Sequence, residues 1–220
     1  MKGLLISFEG SEGCGKSTQI QILARKLESL GHAVRLVREP GGTPIGEEIR
    51  HTLKHSENNH NMTAEAELLL MNASRAQLVR EIIRPALDAG EIVLCDRFFD
   101  STTAYQGHGR GLNLAQVQSI IAFAVGATRP NLTLLLEAPD AVTQQRISVR
   151  QSKGPVVRDR IEEADPAFFN RVKEGFNAIA STEPERVKRV DASKTVEEVS
   201  ISIWGWVQPL LSQIRSAEVP

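Results

Sequence analysis

The segment that most constrains this chain runs from residue 10 to residue 17 and reads GSEGCGKS. It matches the phosphate-binding pattern G-x4-G-K-[ST] without a gap. An apolar run at residues 4–8 precedes it, and apolar residues recur at helical spacing over residues 20–27. A strand, a glycine turn and a helix in this order are typical of a parallel α/β sheet. The sequence therefore predicts an α/β fold that binds polyphosphate after its first strand, and the flanking elements disfavour an ordinary glycine turn.

Each residue type in this loop suits phosphate binding. Glycines let backbone N–H groups approach the phosphates and allow positive φ, and the helix that follows directs its positive end at them. Lys16 supplies a mobile charge for the β and γ oxygens, and Ser17 supplies a hydroxyl for Mg²⁺. The predicted nucleotide-binding residues of the loop are Gly10, Ser11, Glu12, Gly13, Cys14, Gly15, Lys16, Ser17 and Thr18.

Composition narrows the class of protein further. The 220 residues suffice for one large α/β domain, and we expect a single domain over residues 1–220. The net charge of -1 gives no sign of a nucleic-acid partner. Cys14 and Cys95 form no disulfide framework, so we expect a reducing compartment, with Cys14 as a small filler of the loop rather than a nucleophile. Without a leader or a long apolar stretch, the sequence favours a cytoplasmic protein with no membrane partner.

Five strand-like runs separated by helical segments predict a parallel sheet with helices on both faces. The runs lie at residues 4–8, 33–37, 92–95, 132–136 and 187–190. Cap signals support the helices between them: Gly31 and Gly90 end helices, and Asn113, Asp165 and Thr195 begin helices.

A phosphate loop alone occurs in switches, motors, kinases and transporters, so the other half of the site must come from elsewhere. In an open parallel sheet, ligands bind beyond the carboxyl ends of the strands. Arg38 follows the second strand, Asp96 and Arg97 follow the third, and Glu137 follows the fourth. We expect these positions to face the phosphate loop.

A cluster of cations follows the fourth strand, opposed by one acid, Asp159. The cations are Arg146, Arg150, Lys153, Arg158 and Arg160. Because the segment also contains a Gly-Pro pair at residues 154–155, it predicts a mobile lid over residues 146–162 that brings a cation to the transferring phosphoryl group. The variable positions of the loop carry no arginine for that task. The alternative is a solvated basic loop.

The residue types also favour phosphate over alcohol as the acceptor group. A phosphate monoester has its second pKa at about 6 and is already mostly dianionic at neutral pH, so it needs cations rather than a base. Arg50, Arg75 and Arg97 are suitable cations. The choice stays open at one point, because Asp96 or Glu12 could serve as a base for a hydroxyl acceptor.

Taken together, these segments resemble the thymidylate kinase family. The matching segments are REPGGT at residues 38–43, ELLLMNASRAQ at residues 67–77, DRF at residues 96–98 continuing to STTAYQG at residues 101–107, and DRIE at residues 159–162. The resemblance extends from about residue 3 to about residue 210. It implies a three-layer P-loop NTPase fold, with a five-stranded parallel sheet, helices on both faces and a lid segment, in one P-loop kinase domain.

The resemblance also implies an activity: ATP-dependent phosphorylation of dTMP to dTDP, with Mg²⁺, in a homodimer. The nearest alternatives are a kinase for another small acceptor, such as dUMP, dCMP or a nucleoside, and a nucleotide-dependent switch. An acceptor panel assayed for ADP release distinguishes them.

The residues that match the family pattern take roles from it. Arg75 would bond the thymine carbonyl, with Thr102 and Gln106 near the base, and Tyr105 would crowd the sugar 2′ position. The substrate-binding set is Arg38, Pro40, Arg50, Met71, Arg75, Arg97, Ser101, Thr102, Tyr105 and Gln106. The Glu39-Pro40 bond is expected to be cis, as in relatives.

The family pattern further implies a catalytic set, which consists of Lys16, Arg97, Glu12 and a lid arginine: Arg150, Arg158 or Arg160. Within it, Arg97 would hold the monophosphate together with Arg50, and Glu12 would lie near the sugar 3′-hydroxyl. Ser17 and Asp96 would hold Mg²⁺, in part through water. Adenine would rest near Asp191, Ala192 and Ser193.

One position departs from the family pattern. Many relatives have a phenylalanine that stacks on thymine, four residues before the arginine that binds the base, and this chain has Met71 there. A methionine thioether still packs against a ring face, so we expect Met71 to replace that contact.

Overall fold

Five parallel strands form the central sheet of the computed structural model, which describes residues 3–152, 160–161 and 163–215, with side chains up to residue 211. The strands are β1 (Leu4–Glu9), β2 (Val34–Arg38), β3 (Ile92–Asp96), β4 (Leu132–Glu137) and β5 (Val187–Asp191). Their spatial order is β2-β3-β1-β4-β5, and every pair is parallel. The predicted five-stranded parallel sheet is confirmed.

Every strand ends one residue later than its apolar pattern predicts, and each added residue is charged. The five residues are Glu9, Arg38, Asp96, Glu137 and Asp191. The second strand also begins one residue later than predicted, at Val34. An apolar run ends where the core ends, whereas backbone pairing continues to the edge of the sheet. The extra residues therefore carry charge to the edge where ligands bind in this kind of sheet.

Helices cover both faces of the sheet. Their bounds are α1 (Lys16–Ser29), α2 (Pro44–Lys54), α3 (Ala64–Leu78), α4 (Arg84–Asp88), α5 (Phe99–Thr102), α6 (Leu114–Val125), α7 (Asp140–Gln151), α8 (Pro166–Thr182) and α9 (Val196–Arg215). In β1, side chains alternate between the faces: Ile6 and Phe8 pack with α1 and α9, and Leu5 packs with α3 and α6. Along the described residues, no helix combines the length and apolar character that crossing a bilayer requires.

The predicted helix ends agree with the structure. The Asn113 side chain accepts a hydrogen bond from the N–H of Gln116, and the Asp165 side chain accepts one from the N–H of Phe168. Thr195 and Glu198 bond to each other's N–H groups as a complete capping box. These caps satisfy N–H groups that have no partner within the helix.

Two wide π-helical turns escape prediction from sequence. One, at Val79–Ile83, joins α3 to α4, and the other, at Thr103–Gly109, continues α5. Their apolar spacing does not differ enough from that of an α-helix to be recognised. The second turn carries Tyr105 and Gln106, two residues that the sequence predicts to bind substrate.

A buried polar network attaches α5 to the sheet. Arg186, just before β5, donates to both carboxylate oxygens of Asp100 at 2.7 and 2.8 Å. The hydroxyl of Thr133 in β4 also donates to Asp100 at 3.0 Å, and it lies 2.7 Å from the hydroxyl of Ser7 in β1. Arg186 and Thr133 thus hold the carboxylate of Asp100, which lies at the start of α5.

Candidate active site

One large cavity of about 1060 Å³ opens at the carboxyl ends of the strands. It brings together most of the residues predicted from sequence: Gly10, Ser11, Glu12, Gly13, Cys14, Gly15, Lys16, Ser17, Thr18, Arg38, Arg50, Met71, Arg75, Asp96, Arg97, Ser101, Thr102, Tyr105, Gln106, Arg150 and Ala192. Pro40, Arg160, Asp191 and Ser193 do not line it. Arg158 lies outside the described residues.

The phosphate loop needs glycine for two different reasons. At Gly10, where φ is +127°, a Cβ atom would lie 2.2 Å from the carbonyl oxygen of Leu136. At Gly15, where φ is +95°, a Cβ atom would meet nothing within 4 Å, so only the backbone conformation demands glycine. The loop thus follows the end of β4 closely and then turns into α1.

Lys16 is buried beneath the loop. Its Nζ donates to the carbonyl oxygens of Gly10 at 3.1 Å and Ser11 at 2.9 Å. Burial lowers the pKa of Lys16, and the nearby charge of Arg97 lowers it further. Cys14 is also buried, consistent with its predicted role as a filler.

Two side chains with oxygen atoms that could bind a metal ion, Ser17 and Asp96, line the cavity beside the loop. The hydroxyl of Ser17, in the first turn of α1, donates to the carboxylate of Asp96, at the end of β3, at 2.9 Å. Mg²⁺ at nucleotide phosphates takes one or two protein oxygens and completes its shell with phosphate oxygens and water. Ser17 and Asp96 fit such a site.

Arg97 has a left-handed backbone, with φ of +66°, which is uncommon outside glycine. Its guanidinium donates to the hydroxyl of Ser101 at 3.0 Å and lies 5.1 Å from the centre of the Tyr105 ring. Strained backbone of this kind concentrates at functional positions. The strain directs the first residue after β3 into the cavity.

Glu9 forms hydrogen bonds that stabilise the turn after β3, where Arg97 lies. Its carboxylate accepts from the N–H of Phe98 at 2.7 Å and from the hydroxyl of Ser101 at 2.5 Å. Burial, with the charge of Asp100 second, raises the pKa of Glu9 to about 7. The same hydroxyl of Ser101 accepts from Arg97, so Glu9 reaches Arg97 through one intermediate group.

Arg75 is 2% exposed and lies in a dense network. Its guanidinium pairs with Glu39 at 2.6 Å and donates to Asn72 and Thr102 at 2.9 Å each. Burial raises the pKa of Glu39, and the charge of Arg75 opposes that rise. Each guanidinium nitrogen has a partner, and the hydroxyl of Thr102 retains a proton to donate.

Two arginines converge on one carbonyl group. Arg38 and Arg50 both donate to the carbonyl oxygen of Pro40, at 3.0 and 2.8 Å. The Glu39-Pro40 bond is cis, as expected. Pro40 itself is buried and does not line the cavity, whereas Arg38 and Arg50 do.

The residues predicted to contact the nucleoside lie on three elements: Met71 and Arg75 on α3, Thr102 at the end of α5, and Tyr105 and Gln106 on the wide turn. Met71 lines the cavity, and Tyr105 packs edge-on against Phe168 and Phe176 at 6.1 Å each. The amide nitrogen of Gln106 donates to the carboxylate of Glu67 at 2.7 Å.

The predicted lid begins inside a helix. Residues 146–151 belong to α7, so Arg146 and Arg150 project from a helix and not from a loop. Arg150 pairs with Glu12, and Arg146 donates to the carbonyl oxygen of Ala192 at 2.9 Å. Arg160 instead contacts Glu67 and the carbonyl oxygen of Met62, away from the phosphate loop.

At the predicted adenine end, Ala192 lines the cavity, whereas Asp191 and Ser193 bond to each other. The Asp191 carboxylate accepts from the hydroxyl and the N–H of Ser193 at 2.6 and 3.0 Å. The hydroxyl bond, with the N–H second, lowers the pKa of Asp191. These two side chains therefore shape the turn that presents Ala192.

Three buried acids, Glu9, Glu39 and Glu67, received no role from sequence reasoning. Each underlies a residue predicted to bind substrate. A usable signal existed for Glu9 and Glu67, since each interrupts or adjoins an apolar run, and an acid in such a place is rarely buried without a partner. The pairing itself is tertiary and could not be read from the pattern.

A phosphate loop and side-chain cations that face each other across one cavity define the class of P-loop kinases, which move a phosphoryl group between two bound ligands. Comparison with known proteins agrees. A family model described as thymidylate kinase matches residues 8–203. The chain belongs to the thymidylate kinase family, and it is a kinase.

Individual relatives cover nearly the whole chain. A thymidylate kinase from Syntrophotalea carbinolica is 51% identical over 200 residues, which cover 90% of this chain and 92% of the relative. One from Deinococcus radiodurans is 45% identical over 206 residues, covering 94% and 97%. The crystal structure of thymidylate kinase from Ehrlichia chaffeensis superposes with a TM-score of 0.74 at 29% identity, covering 94% of this chain and 99% of that one.

Proposed function

We propose that the chain transfers the γ-phosphoryl group of ATP to dTMP, forming ADP and dTDP, with Mg²⁺ bound at the phosphates. The observation that carries this proposal is that one cavity is lined both by the phosphate loop with Lys16 and by the acceptor-side arginines Arg75 and Arg97. Family membership supports dTMP as the acceptor.

The reaction needs positioning more than proton transfer. A phosphate oxygen of dTMP attacks the γ phosphorus in line, and the bond from that phosphorus to the β–γ bridging oxygen breaks as ADP leaves. Because the attacking phosphate is already mostly dianionic, no base has to remove a proton. Lys16 holds the β and γ oxygens, and Arg97 and Arg50 hold the acceptor phosphate.

Ser17 and Asp96 would hold Mg²⁺ beside the loop, as their adjacent oxygens suggest. When bound, the ion neutralises charge on the β and γ phosphates. Asp96 belongs to this metal shell rather than acting as a base. Glu12, paired with Arg150, restrains that arginine next to the loop, which makes Arg150 our choice for the cation that reaches the transferring group.

The acceptor base lies between Met71, Thr102 and Gln106, with Arg75 behind them. The thioether of Met71 packs on the ring face. Tyr105, fixed between two phenylalanines, crowds the 2′ position of the sugar and favours deoxyribose.

Release of ADP across a panel of acceptors tests the proposal. The purified chain is assayed with ATP and Mg²⁺ plus dTMP, dUMP, dCMP, thymidine or no acceptor. We expect dTMP to give the highest kcat/KM and thymidine to give the background rate. If thymidine gave the highest rate, the acceptor group would be a hydroxyl and not a phosphate. If ADP release were the same with every acceptor and with none, the protein would be a nucleotide-dependent switch.

We further propose that the protein is a homodimer that joins through α3 and α6, in the cytoplasm. These helices pack side by side and expose large apolar side chains, with Phe123 84% and Leu69 56% exposed. Both cysteines are buried and unpaired, which suits a reducing compartment. Light scattering should give the dimer mass, and Phe123→Glu should give the monomer mass. A monomeric parent protein would refute the assignment.

A further inference from the structure

We propose that Glu67 is a positioning residue that sets base specificity by fixing which end of the Gln106 amide faces the cavity. This inference rests on the proposed function, because it concerns how the same pocket selects its pyrimidine. Glu67 itself touches no substrate, since it is 0% exposed and does not line the cavity.

Glu67 is held from three sides. It projects from α3, and its carboxylate accepts from the Nε2 of Gln106 at 2.7 Å and from Arg110 at 3.0 Å. Arg160 contacts the same carboxylate. Two guanidinium groups against one carboxylate favour its ionised form.

An ionised carboxylate can only accept hydrogen bonds. Gln106 must therefore direct its NH2 group at Glu67, and its carbonyl oxygen, Oε1, points the other way. Among the hydrogen bonds between described residues, none uses this oxygen, and Gln106 lines the cavity. The pocket thus presents an acceptor and not a donor at this point.

A fixed acceptor distinguishes pyrimidines by the group at ring position N3. Thymine and uracil carry an N–H there, which donates to the Gln106 oxygen. Cytosine carries a bare acceptor nitrogen, which faces the same oxygen with no proton between them. A buried polar group without its partner is costly, so this arrangement excludes dCMP and accepts dTMP and dUMP.

A purely structural role for Glu67 predicts something else. If Glu67 only neutralised Arg110 and Arg160, its loss would lower stability and would reduce the use of all acceptors alike. The ratio of kcat/KM for dTMP to that for dCMP therefore separates the two roles.

The experiment compares two variants on opposite sides of the same ion pair. Glu67→Gln can donate as well as accept, so the Gln106 amide is free to turn and offer its NH2 to N3 of cytosine. We expect the dTMP to dCMP ratio to fall at least about tenfold, with dCMP use itself not reduced. Arg110→Gln removes a partner of Glu67 but does not contact the Gln106 amide, and its ratio should stay within about twofold. Thermal unfolding monitors the fold of both.

A second variant keeps the test decisive if Glu67→Gln does not fold. Gln106→Met keeps the size of the side chain and leaves Glu67 with both arginines, but it removes the acceptor oxygen. Its dTMP to dCMP ratio should also fall at least about tenfold. An unchanged ratio in a folded Glu67→Gln protein, or in Gln106→Met if that one alone folds, overturns the inference. A parent protein that does not phosphorylate dTMP refutes the proposed function instead, so the two failures are distinguishable.

Discussion

The two ends of the cavity are built in different ways. At the phosphate loop, backbone groups and one lysine form the site. Glycines at fixed spacing allow the backbone conformation that this site needs. At the acceptor end, side chains on separate elements hold one another, as in the contacts of Arg75 with Glu39 and of Gln106 with Glu67. A backbone site is specified by a short pattern, whereas an interlocked side-chain site is specified only by the assembled fold.

The largest effect that tests this difference is the loss of the loop lysine. Lys16→Ala should lower kcat on the order of 10³-fold, because the β and γ oxygens lose their nearest side-chain charge. Its thermal unfolding midpoint should change little, since burial already disfavours the charged lysine. Turnover near that of the parent protein would contradict the role of the loop.

At the acceptor end, the same kind of truncation should damage the fold as well. Arg75→Ala leaves the Glu39 carboxylate buried without its partner, so the free energy of unfolding should fall by about 3 kcal/mol, as measured with urea. Adding Glu39→Gln should recover part of this loss. In the folded fraction, KM for dTMP should rise more than KM for ATP.

An exposed ion pair provides the control for Arg75. Arg38 and Glu47 pair at 2.9 Å, but their side chains are 46% and 45% exposed. Arg38→Ala should therefore cost less than about 1 kcal/mol of stability. Equal losses from Arg75→Ala and Arg38→Ala would mean that burial does not distinguish the acceptor network.

Within the phosphate loop, two glycines allow a matched comparison. Gly10→Ala places a methyl group against the carbonyl oxygen of Leu136, whereas Gly15→Ala meets only the cost of a left-handed backbone. We expect a loss of about 2 kcal/mol of unfolding free energy for Gly10→Ala and about 1 kcal/mol for Gly15→Ala. An equal loss of unfolding free energy in both variants would show that the loop at Gly10 does not pack tightly against the end of β4.

A further expected effect concerns pH. The pKa of Glu9 is raised to about 7 in the folded protein from an ordinary value of 4.5. Between these values the unfolded chain releases the proton and the folded chain keeps it, so the stability of the parent protein falls as pH rises through this window and levels off above it. Glu9→Gln lacks this loss, and its stability relative to the parent should rise across the window by about 3 kcal/mol.

Glu47→Gln offers a control of opposite sign. A hydrogen bond from the N–H of Gly42, more than its contact with Arg38, lowers the pKa of Glu47. Its stabilising effect is present at neutral pH and is lost as pH falls through the lowered value. A pH response of the same sign in both variants would rule out Glu9 as the cause.

How much could be predicted from the sequence follows the same division. The sheet, the caps and the loop of residues 10–17 follow from local patterns, and the structure confirms the sheet. The family match supports the arginine segments, while the individual site roles stay predictions. Glu9 and Glu67 had only a local signal of apolar surroundings, and their partners lie far along the chain: Ser101 is 92 residues from Glu9, and Gln106 is 39 residues from Glu67.

The predicted lid shows a second limit of pattern reading. The charge pattern predicted a lid over residues 146–162, of which residues 153–159 and 162 lie outside the described part of the chain. The pattern did not separate Arg150, on α7 beside the loop, from Arg160, which contacts Glu67. Sequence spacing gives the number of cations within reach. The direction of each one depends on the partner that it meets in the folded chain, which is an acid for Arg150 and Arg160 and a carbonyl oxygen for Arg146.

The bond between Asp100 and Arg186 has a mechanical consequence. Asp100 belongs to α5, so its bonds to Arg186 hold α5 against the segment just before β5. The wide turn at Thr103–Gly109 continues directly from α5 and is therefore attached to the sheet as well. This bond therefore restrains the turn that carries Tyr105 and Gln106. The predicted sugar and base contacts are thereby tied to the same sheet whose first strand leads into the phosphate loop.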